Sequence, residues 1–441
     1  MHEFEAVTQR ESNARNYAVT FPTLFTSGEG IWLQDHTGKK YIDCLSCAGA
    51  LSLGHNHPEV KQALLNFLAS GHVQQVLDLT TPAKHQFINR LFNLLPPTFA
   101  QRAKIHFCSP CGADAVEAAM KLVRFATQRQ PIVAFHGAYH GMTRGALAAM
   151  GNLFSKVNAG VGAEHIHFAP FPYRYRCPFG TDGKETDQLS IDYLKNLLDD
   201  PESGVAKPAG VLVEIVQGEG GCIPASTEWL RALRALTQQH QIPLIIDEVQ
   251  TGLCRTGSMF AFQQADIVPD VLILSKAVGG GYPLSMIVYD QALDVWPKGI
   301  HDGTFRGNQI AMAAGEKTME ILQRDRLDDN ARDMGARLSA GLHALAALHP
   351  EFGDIRGRGL MLGVEIIHPH GELNGQRNGE LARRIKEAAF QRGMLLETGG
   401  RHAAVLRFLP PLIIGAQDVD NILNRLADAI ADAKKIKRPA T

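Results

Sequence analysis

Short apolar runs alternate with longer amphipathic stretches through the first two thirds of the chain. The apolar runs, rich in Val, Ile, Leu and Phe, cover residues 105–108, 132–135, 210–214, 243–246 and 272–274. Their length and the turn residues around them predict short buried strands. Amphipathic patterns at 114–124 and 227–239 predict helices between the strands. This alternation predicts an α/β fold with a mostly parallel sheet that helices cover on both faces.

The pattern changes from about residue 316, where amphipathic helices precede strand-like runs at 359–365 and 405–408. We interpret this part as a smaller α+β domain. A chain of 441 residues exceeds one typical domain, which agrees with such a division. The predicted parts are an N-terminal segment that packs with the small domain, 1–65, a large domain, 66–325, and the small domain, 326–441.

The charge balance argues against two classes of partner. Lys and Arg number 44 and Asp and Glu number 45, which leaves no excess charge for nucleic acid or an anionic membrane. The N-terminus is polar and lacks the apolar segment of a signal peptide. No apolar run approaches the ~18 residues of a membrane helix. We therefore expect a cytoplasmic protein that acts on small molecules.

Two cysteine pairs, Cys44/Cys47 and Cys108/Cys111, have the CxxC spacing of zinc sites and redox pairs. The two pairs lie about 60 residues apart, whereas a zinc ribbon separates its pairs by about 15–20 residues. Cys44 and Cys47 also fall in an apolar stretch that predicts a strand. We expect seven reduced thiols and no metal site.

Asp247 and Lys276 carry the most specific chemistry in the sequence. Asp247 ends one apolar run, and Lys276 follows the next run 29 residues later. Pyridoxal-phosphate chemistry requires a lysine that binds an aldehyde as a Schiff base and a carboxylate that keeps a pyridine nitrogen protonated. A buried structural ion pair is the alternative for an isolated Asp and Lys. The neighbouring residues favour the cofactor.

Three further features suit an anionic aromatic cofactor. Gly112 and Ala113 begin a predicted helix directly after a strand, where backbone N–H groups and the helix dipole favour phosphate, although a tight turn has the same sequence. Tyr139 follows the next strand and offers an aromatic face for stacking on a planar ring. The hydroxyl of Thr304 suits a phosphate contact and equally suits a solvated loop.

The sequence as a whole resembles the class III (omega) aminotransferases. The resemblance rests on Asp-Glu-Val-Gln-Thr-Gly at 247–252, Arg-Thr-Gly at 255–257 and Ser-Lys-Ala around Lys276. It extends to Gly-His-Asn-His-Pro at 54–58 and Leu-Arg-Phe-Leu-Pro-Pro at 406–411. It implies the fold type I architecture of pyridoxal-phosphate enzymes, pyridoxal 5'-phosphate as cofactor, and a homodimer with shared active sites.

The resemblance also implies a role for each matching residue on the ring side of the cofactor. Lys276 would hold the cofactor covalently, and Asp247 would pair with the pyridinium nitrogen. Gln250 would lie at the ring hydroxyl, and Tyr139 would stack on the ring. Lys276 and Asp247 are thus the predicted catalytic residues.

Other matching residues would bind phosphate and substrate. Gly112 and Ala113 would bind phosphate through their backbone, and Thr304 would reach it from the partner subunit. Glu219 matches the family's substrate-side glutamate, and Arg407 matches the arginine that binds a substrate carboxylate.

Two departures from the family pattern bear on the ligands. Met142 stands where related ornithine, acetylornithine and 4-aminobutyrate enzymes carry a second carboxylate-binding arginine, and Cys111 replaces the usual serine before Gly112. The sequences at 112–119 and 304–309 are most similar to the branch that uses diaminobutyrate and 2-oxoglutarate. The resemblance therefore implies transfer of a terminal amino group to a 2-oxo acid.

Three alternatives stay open. One is another omega-aminotransferase of the ornithine, lysine, acetylornithine or 4-aminobutyrate type. The second is a pyridoxal-phosphate racemase, aminomutase or decarboxylase on the same fold. The third is a catalytically silent relative, which the Asp247 and Lys276 pair disfavours.

Overall fold

The computed structural model describes residues 9–163 and 165–435. Its strands are β1 (Phe25–Glu29), β2 (Trp32–Asp35), β3 (Lys40–Asp43), β4 (Ala103–Cys108), β5 (Ile132–Phe135), β6 (Ile166–Ala169), β7 (Gly210–Glu214), β8 (Val216–Gln217), β9 (Ile223–Pro224), β10 (Leu244–Asp247), β11 (Val271–Leu274), β12 (Ser285–Asp290), β13 (Phe352–Arg358), β14 (Met361–Ile366), β15 (Met394–Leu395), β16 (Glu397–Gly399) and β17 (Val405–Phe408).

A seven-stranded sheet in the order β4-β12-β11-β10-β7-β5-β6 forms the centre of the molecule. The strands from β11 to β6 pair in parallel, and β12 runs antiparallel to both of its neighbours. Alternate residues of one strand enter different cores. Val211 and Val213 belong to one apolar cluster and Leu212 to the other. Both faces are therefore buried, and the predicted α/β fold is confirmed.

Helices surround the sheets and supply the remainder of both cores. The helix Gly112–Thr127 packs on β4, β7, β11 and β12. The α-helices span Tyr17–Thr20, Pro58–Ala69, Pro82–Leu94, Pro97–Ala100, Gly112–Thr127, Arg144–Ala148, Leu153–Asn158, Thr186–Asp199, Thr227–Gln239, Gln309–Arg324, Leu327–Ala346, Gly379–Gln391 and Ala416–Lys435. Within the described residues, no helix combines the length and the apolar character that crossing a membrane requires.

Two four-stranded sheets lie outside the central one. One has the order β13-β14-β17-β16 and is antiparallel. The other has the order β1-β2-β3-β15, and β15 joins it in parallel to β3, with Met394 opposite Ile42. The N-terminal strands thus share a sheet with a C-terminal strand. The predicted division at 1–65, 66–325 and 326–441 stays a prediction, and residues 1–8 and 436–441 of its outer parts lie outside the described residues.

The predicted strand around Cys44 is shorter than expected. β3 ends at Asp43, because one oxygen of this side chain accepts the backbone N–H groups of Leu45 at 2.9 Å and Ser46 at 2.8 Å. Cys44 therefore follows the strand and Cys47 lies in the next turn, so the assignment of both cysteines to the strand is wrong. All seven cysteines are free of disulfide bonds.

Candidate active site

Asp247 and Lys276 lie at the same edge of the central sheet. β10 and β11 are parallel neighbours with Asp247 opposite Ile273, so the chain leaves both strands side by side at their carboxyl ends. Lys276 Nζ donates a hydrogen bond to the carbonyl of Ala48 at 3.1 Å. Burial lowers the pKa of Lys276, although the negative charge of Glu219 opposes this. The amine is therefore more often neutral than that of an exposed lysine.

The carbonyl that meets Lys276 belongs to a left-handed turn at residues 46–49. The four φ angles are 48°, 50°, 56° and 88°, and only the last belongs to a glycine. Left-handed non-glycine residues cost roughly 1–3 kcal/mol each and persist where the surrounding structure fixes them. The turn directs the Ala48 carbonyl to Lys276 and also to Gln250, whose Nε2 donates to it at 2.9 Å.

Asp247 is held from two sides. Its Oδ1 accepts the backbone N–H of Val249 at 3.0 Å, and its Oδ2 lies 2.8 Å from Nδ1 of His140. Both side chains are buried. Burial works against the charged imidazole, but the hydrogen bond and the charge of Asp247 raise the pKa of His140 on balance. The contact therefore fixes the orientation of Asp247 and favours the charged form of His140.

Glu214 is a second buried acid beside Asp247. It ends β7 directly opposite Asp247. Its two oxygens accept the backbone N–H groups of Tyr139 at 2.9 Å and Gly218 at 3.1 Å. Burial and the negative charge of Asp247 raise the pKa of Glu214 to about 7, although His140 opposes them. This acid therefore keeps its proton up to near-neutral pH.

The helix Gly112–Thr127 begins at the wall of a cavity of about 490 Å³, which Asp247 and Lys276 also line. Cys111, the N-terminal cap, makes no side-chain hydrogen bond to the first turn. The first backbone N–H groups are thus suited to an anionic ligand. Gly141, with a φ of 122°, packs so closely that a Cβ there would lie 2.4 Å from the Cβ of Ala113.

Tyr139 and Met142 line the more open part of this cavity. The exposed fractions of the two residues are 38% and 56%. Burial and the charges of Glu219 and Glu214 raise the pKa of Tyr139, so its hydroxyl stays protonated. Met142 presents an uncharged side chain at the position where the resemblance places an arginine in ornithine, acetylornithine and 4-aminobutyrate enzymes.

Arg407 lies behind the cavity wall and contacts two residues that line the cavity. Its guanidinium donates to Oε1 of Glu219 at 2.6 Å and to Oε1 of Gln250 at 3.1 Å. Glu219 and Gln250 line the cavity. Burial opposes ionisation of Glu219, but the charge of Arg407 lowers the pKa of this carboxyl. The pair is therefore ionised and lies within reach of a ligand.

Thr304 lies apart from the other predicted site residues. It is exposed in a turn beside Phe305, which is also exposed, and it does not line the cavity. One chain thus brings the predicted residues Gly112, Ala113, Tyr139, Glu219, Asp247, Gln250, Lys276 and Arg407 to one place and leaves Thr304 outside it. The contribution of Thr304 to the site of a partner subunit stays a prediction.

Comparison with known proteins agrees with this arrangement. The profile of the family described as aminotransferase class-III matches residues 13–430. The chain belongs to the class-III aminotransferase family. A diaminobutyrate–2-oxoglutarate aminotransferase of Rhizobium meliloti is 52% identical to this aminotransferase over 96% of the chain and 90% of the relative. A protein of the same name from Haemophilus influenzae is 41% identical over 97% of the chain and 94% of the relative.

Solved structures of transaminases share the fold of this aminotransferase. An (S)-enantioselective omega-transaminase from Thermomicrobium roseum superposes with a TM-score of 0.86 at 26% identity and covers 97% of each chain. A PLP-bound amine transaminase from an uncultivated Pseudomonas species has a TM-score of 0.85 at 26% identity and covers 96% of this chain and 98% of its own. The predicted fold type I architecture is confirmed.

Pyridoxal phosphate, the predicted cofactor, is confirmed by the family, and the cavity suits it. The uncapped helix start at Gly112 and Ala113 suits the phosphate, and the buried carboxylate of Asp247 suits a protonated ring nitrogen. The poorly solvated amine of Lys276 suits covalent attachment of an aldehyde. Tyr139 lines the same space with its aromatic side chain.

Three contributors to this site are not among the predicted residues. His140 has no local signal, because its contact with Asp247 joins residues 107 positions apart. The left-handed turn at 46–49 contains a single glycine, so its sequence gives little indication of positive φ angles. Glu214 does have a local signal, because it ends a predicted strand. If that strand is placed next to the strand that ends at Asp247, the two acids are predicted to lie side by side, as they do.

Replacing Glu214 by Gln tests the pKa of this buried acid. Folded protein holds the Glu214 proton to about pH 7, whereas the ordinary value is 4.5. Between these pH values the folded state binds more protons, so this group makes stability fall as pH rises. Gln cannot titrate. Raising the pH from about 4.5 to 7.5 should therefore shift the stability difference by about 2–3 kcal/mol in favour of the variant.

Urea denaturation of both proteins at pH 5 and pH 8 measures this difference. The variant is expected to be less stable at pH 5, because its amide N–H₂ faces a backbone donor that the carboxyl oxygen now accepts. Only the change of the stability difference with pH tests the raised pKa of Glu214. An equal stability difference at both pH values would contradict it.

Proposed function

We propose that this class III aminotransferase moves the terminal amino group of L-2,4-diaminobutyrate to 2-oxoglutarate and releases L-aspartate 4-semialdehyde and L-glutamate. The 52% identity to the Rhizobium meliloti diaminobutyrate–2-oxoglutarate aminotransferase, over 96% of the chain, carries this proposal. The uncharged Met142 and the buried Arg407 with its partner Glu219 support it. The reaction is reversible and proceeds in two half-reactions on one site.

Lys276 is the residue that we propose moves the proton. Pyridoxal phosphate, when bound, supplies an aldehyde for the amino group and a ring that withdraws electrons from the substrate carbon. Lys276 Nζ would accept a proton from that carbon and deliver it to the carbon that was the aldehyde of the cofactor. Burial lowers the pKa of Lys276, so a useful fraction of the amine is free to act as a base. The Ala48 carbonyl, 3.1 Å away, orients it.

Asp247 and His140 sustain the electron-withdrawing power of the site. A carboxylate near the ring nitrogen keeps that nitrogen protonated, which stabilises negative charge on the substrate carbon. His140 Nδ1, 2.8 Å from Oδ2, fixes the orientation of Asp247. We propose His140 as a positioning residue and Asp247 as a catalytic one.

Arg407 and Glu219 serve two different substrates. A carboxylate of 2-oxoglutarate forms a charge-assisted hydrogen bond with Arg407 once Glu219 gives way. While the diamine is bound, Glu219 stays 2.6 Å from Arg407 and neutralises it. The side chain of Glu219 is 38% exposed, which leaves it room to move. This alternation allows one site to accept an acidic and a basic ligand in turn.

The proposed assembly is a homodimer in which Thr304 of the partner subunit binds the phosphate. The exposed turn at Thr304 supports this, as do the exposed apolar residues Phe305, Leu77 and Leu79 in the same part of the molecule. The seven free cysteines support the proposed cytoplasmic location.

Donor specificity tests the proposed substrate. Diaminobutyrate should exceed ornithine, lysine and 4-aminobutyrate in kcat/KM, with 2-oxoglutarate as acceptor and glutamate formation as readout. Ornithine carries one more methylene, and a methylene in an apolar pocket discriminates by only about 10- to 200-fold. If 4-aminobutyrate or acetylornithine is the better donor, the proposed substrate is wrong and the reaction class stands.

Two variants at one position serve as a control for this comparison. Met142→Arg restores a positive charge at the cavity, so it should raise the use of 4-aminobutyrate relative to diaminobutyrate. Met142→Leu is similar in size and uncharged, and it should leave the preference unchanged.

Mixed dimers test whether the active sites are shared. Lys276→Ala and Thr304→Ala proteins, each weakly active or inactive alone, are combined and the heterodimer is purified through two different affinity tags. If Thr304 crosses the interface, one of the two sites in the heterodimer has both native residues, and activity returns to about half of the wild-type value. A heterodimer no more active than the Thr304→Ala protein would place both residues on the same chain's site.

A further inference from the structure

Glu397 is a buried carboxylate that the proposed mechanism does not use. The residue is 7% exposed. Its Oε1 accepts the backbone N–H of Thr398 at 2.8 Å and lies 3.7 Å from Nζ of Lys386. Its Oε2 has no hydrogen-bond partner among the described residues. A buried carboxylate oxygen without a hydrogen-bond partner is costly, so Oε2 has capacity for a further donor.

The sheet register directs Glu397 to the active site. β16 and β17 are antiparallel, and Glu397 lies directly opposite Arg407. Side chains of opposed residues in such a pair lie on the same face of the sheet, about 4.5–5.5 Å apart at Cβ. Arg407 extends from this face to Glu219 and Gln250 in the cavity wall. Glu397 therefore lies beside Arg407 on the same face of the sheet, directly behind the wall residues that Arg407 contacts.

The neighbouring positions are consistent with this direction. Gly399, two residues along β16, has no side chain, and a Cβ there would lie 2.6 Å from Cδ of Arg407. The arginine thus crosses Gly399 on its way to Glu219. Lys386, the ion-pair partner of Glu397, belongs to the helix Gly379–Gln391.

Tyr17 is a half-exposed residue near Glu397. Burial raises the pKa of its hydroxyl to about 12, with Glu397 as the strongest charged neighbour and with Glu219, Arg407 and Tyr139 also acting on it. Glu219 and Tyr139 line the cavity, and Arg407 contacts its wall. Glu397 and these cavity residues thus act on one hydroxyl.

We propose that Glu397 binds the α-ammonium group of the diamine donor while the terminal amino group reacts at Lys276. This inference rests on the proposed function, because only a diamino acid places a second ammonium at the end remote from the chemistry. An ammonium at Oε2 would supply the missing hydrogen-bond donor and offset the buried charge. Glu397 is thereby the residue that distinguishes diaminobutyrate from 4-aminobutyrate, which has the same chain without the α-amino group.

Glu397→Gln tests this role with the two matched donors. The change removes the charge and keeps the size, so kcat/KM for diaminobutyrate should fall roughly 10- to 100-fold, the loss expected for a hydrogen bond to a charged group. The value for 4-aminobutyrate should change by less than about threefold, since this donor has no α-ammonium to lose. The loss should appear mainly in KM, because the contact lies away from the reacting carbon.

Two further variants separate ligand binding from a structural role. Glu397→Asp keeps the charge and should retain part of the preference for diaminobutyrate. Lys386→Gln removes the ammonium 3.7 Å from Oε1 of Glu397 and should leave the donor ratio unchanged. If Lys386→Gln shifts the ratio as Glu397→Gln does, Glu397 serves only as the partner of Lys386 and the proposal is overturned. Thermal denaturation verifies that each variant is folded.

The outcomes distinguish this inference from the proposed function. A high wild-type preference for diaminobutyrate that collapses in Glu397→Gln supports both. A high preference that survives the substitution overturns the role of Glu397 and leaves the proposed function intact. An equal loss with both donors also overturns that role. A wild-type enzyme that does not use diaminobutyrate overturns the proposed function and this inference with it.

Discussion

The parallel pairing of β10 and β11 is the constraint on which the site depends. Because both strands end at one edge of the sheet, Asp247 and Lys276 enter the same cavity although 29 residues separate them. The pairing of β7 with β10 adds Glu214 to the same edge. The chemistry of the site thus follows from the order of strands in a buried sheet, and neither face of that sheet can shift without disturbing a packed core.

Burial then gives chemically similar groups different tasks. Asp247 has His140 as a side-chain partner, whereas Glu214 is satisfied by backbone N–H groups and keeps its proton to about pH 7. Burial also lowers the pKa of Lys276. The left-handed turn at 46–49 has a strained backbone, and its conformation directs the Ala48 carbonyl to this amine. Charge, proton and orientation are therefore set before a substrate arrives.

Most of the fold and most of the site residues could be predicted from the sequence. The bounds of β5, β7, β17 and the helix Thr227–Gln239 agree with the structure, because apolar strand runs and amphipathic helix periodicity are local signals. The left-handed turn was missed, since Ser, Cys and Ala carry no preference for positive φ. The contacts of His140 and Glu397 were missed because they depend on strand order and register, which no local pattern encodes.

Covalent attachment of the cofactor at Lys276 is the central claim, and peptide mapping tests it most directly. Borohydride reduction of the purified enzyme fixes an aldehyde cofactor to the amine that holds it, and mass spectrometry then locates the modified lysine. The site described here predicts the label on the peptide that contains Lys276 and on no other, with loss of the label in Lys276→Ala. A label on a different lysine, or a wild-type protein that retains pyridoxal phosphate without any label, would contradict the account.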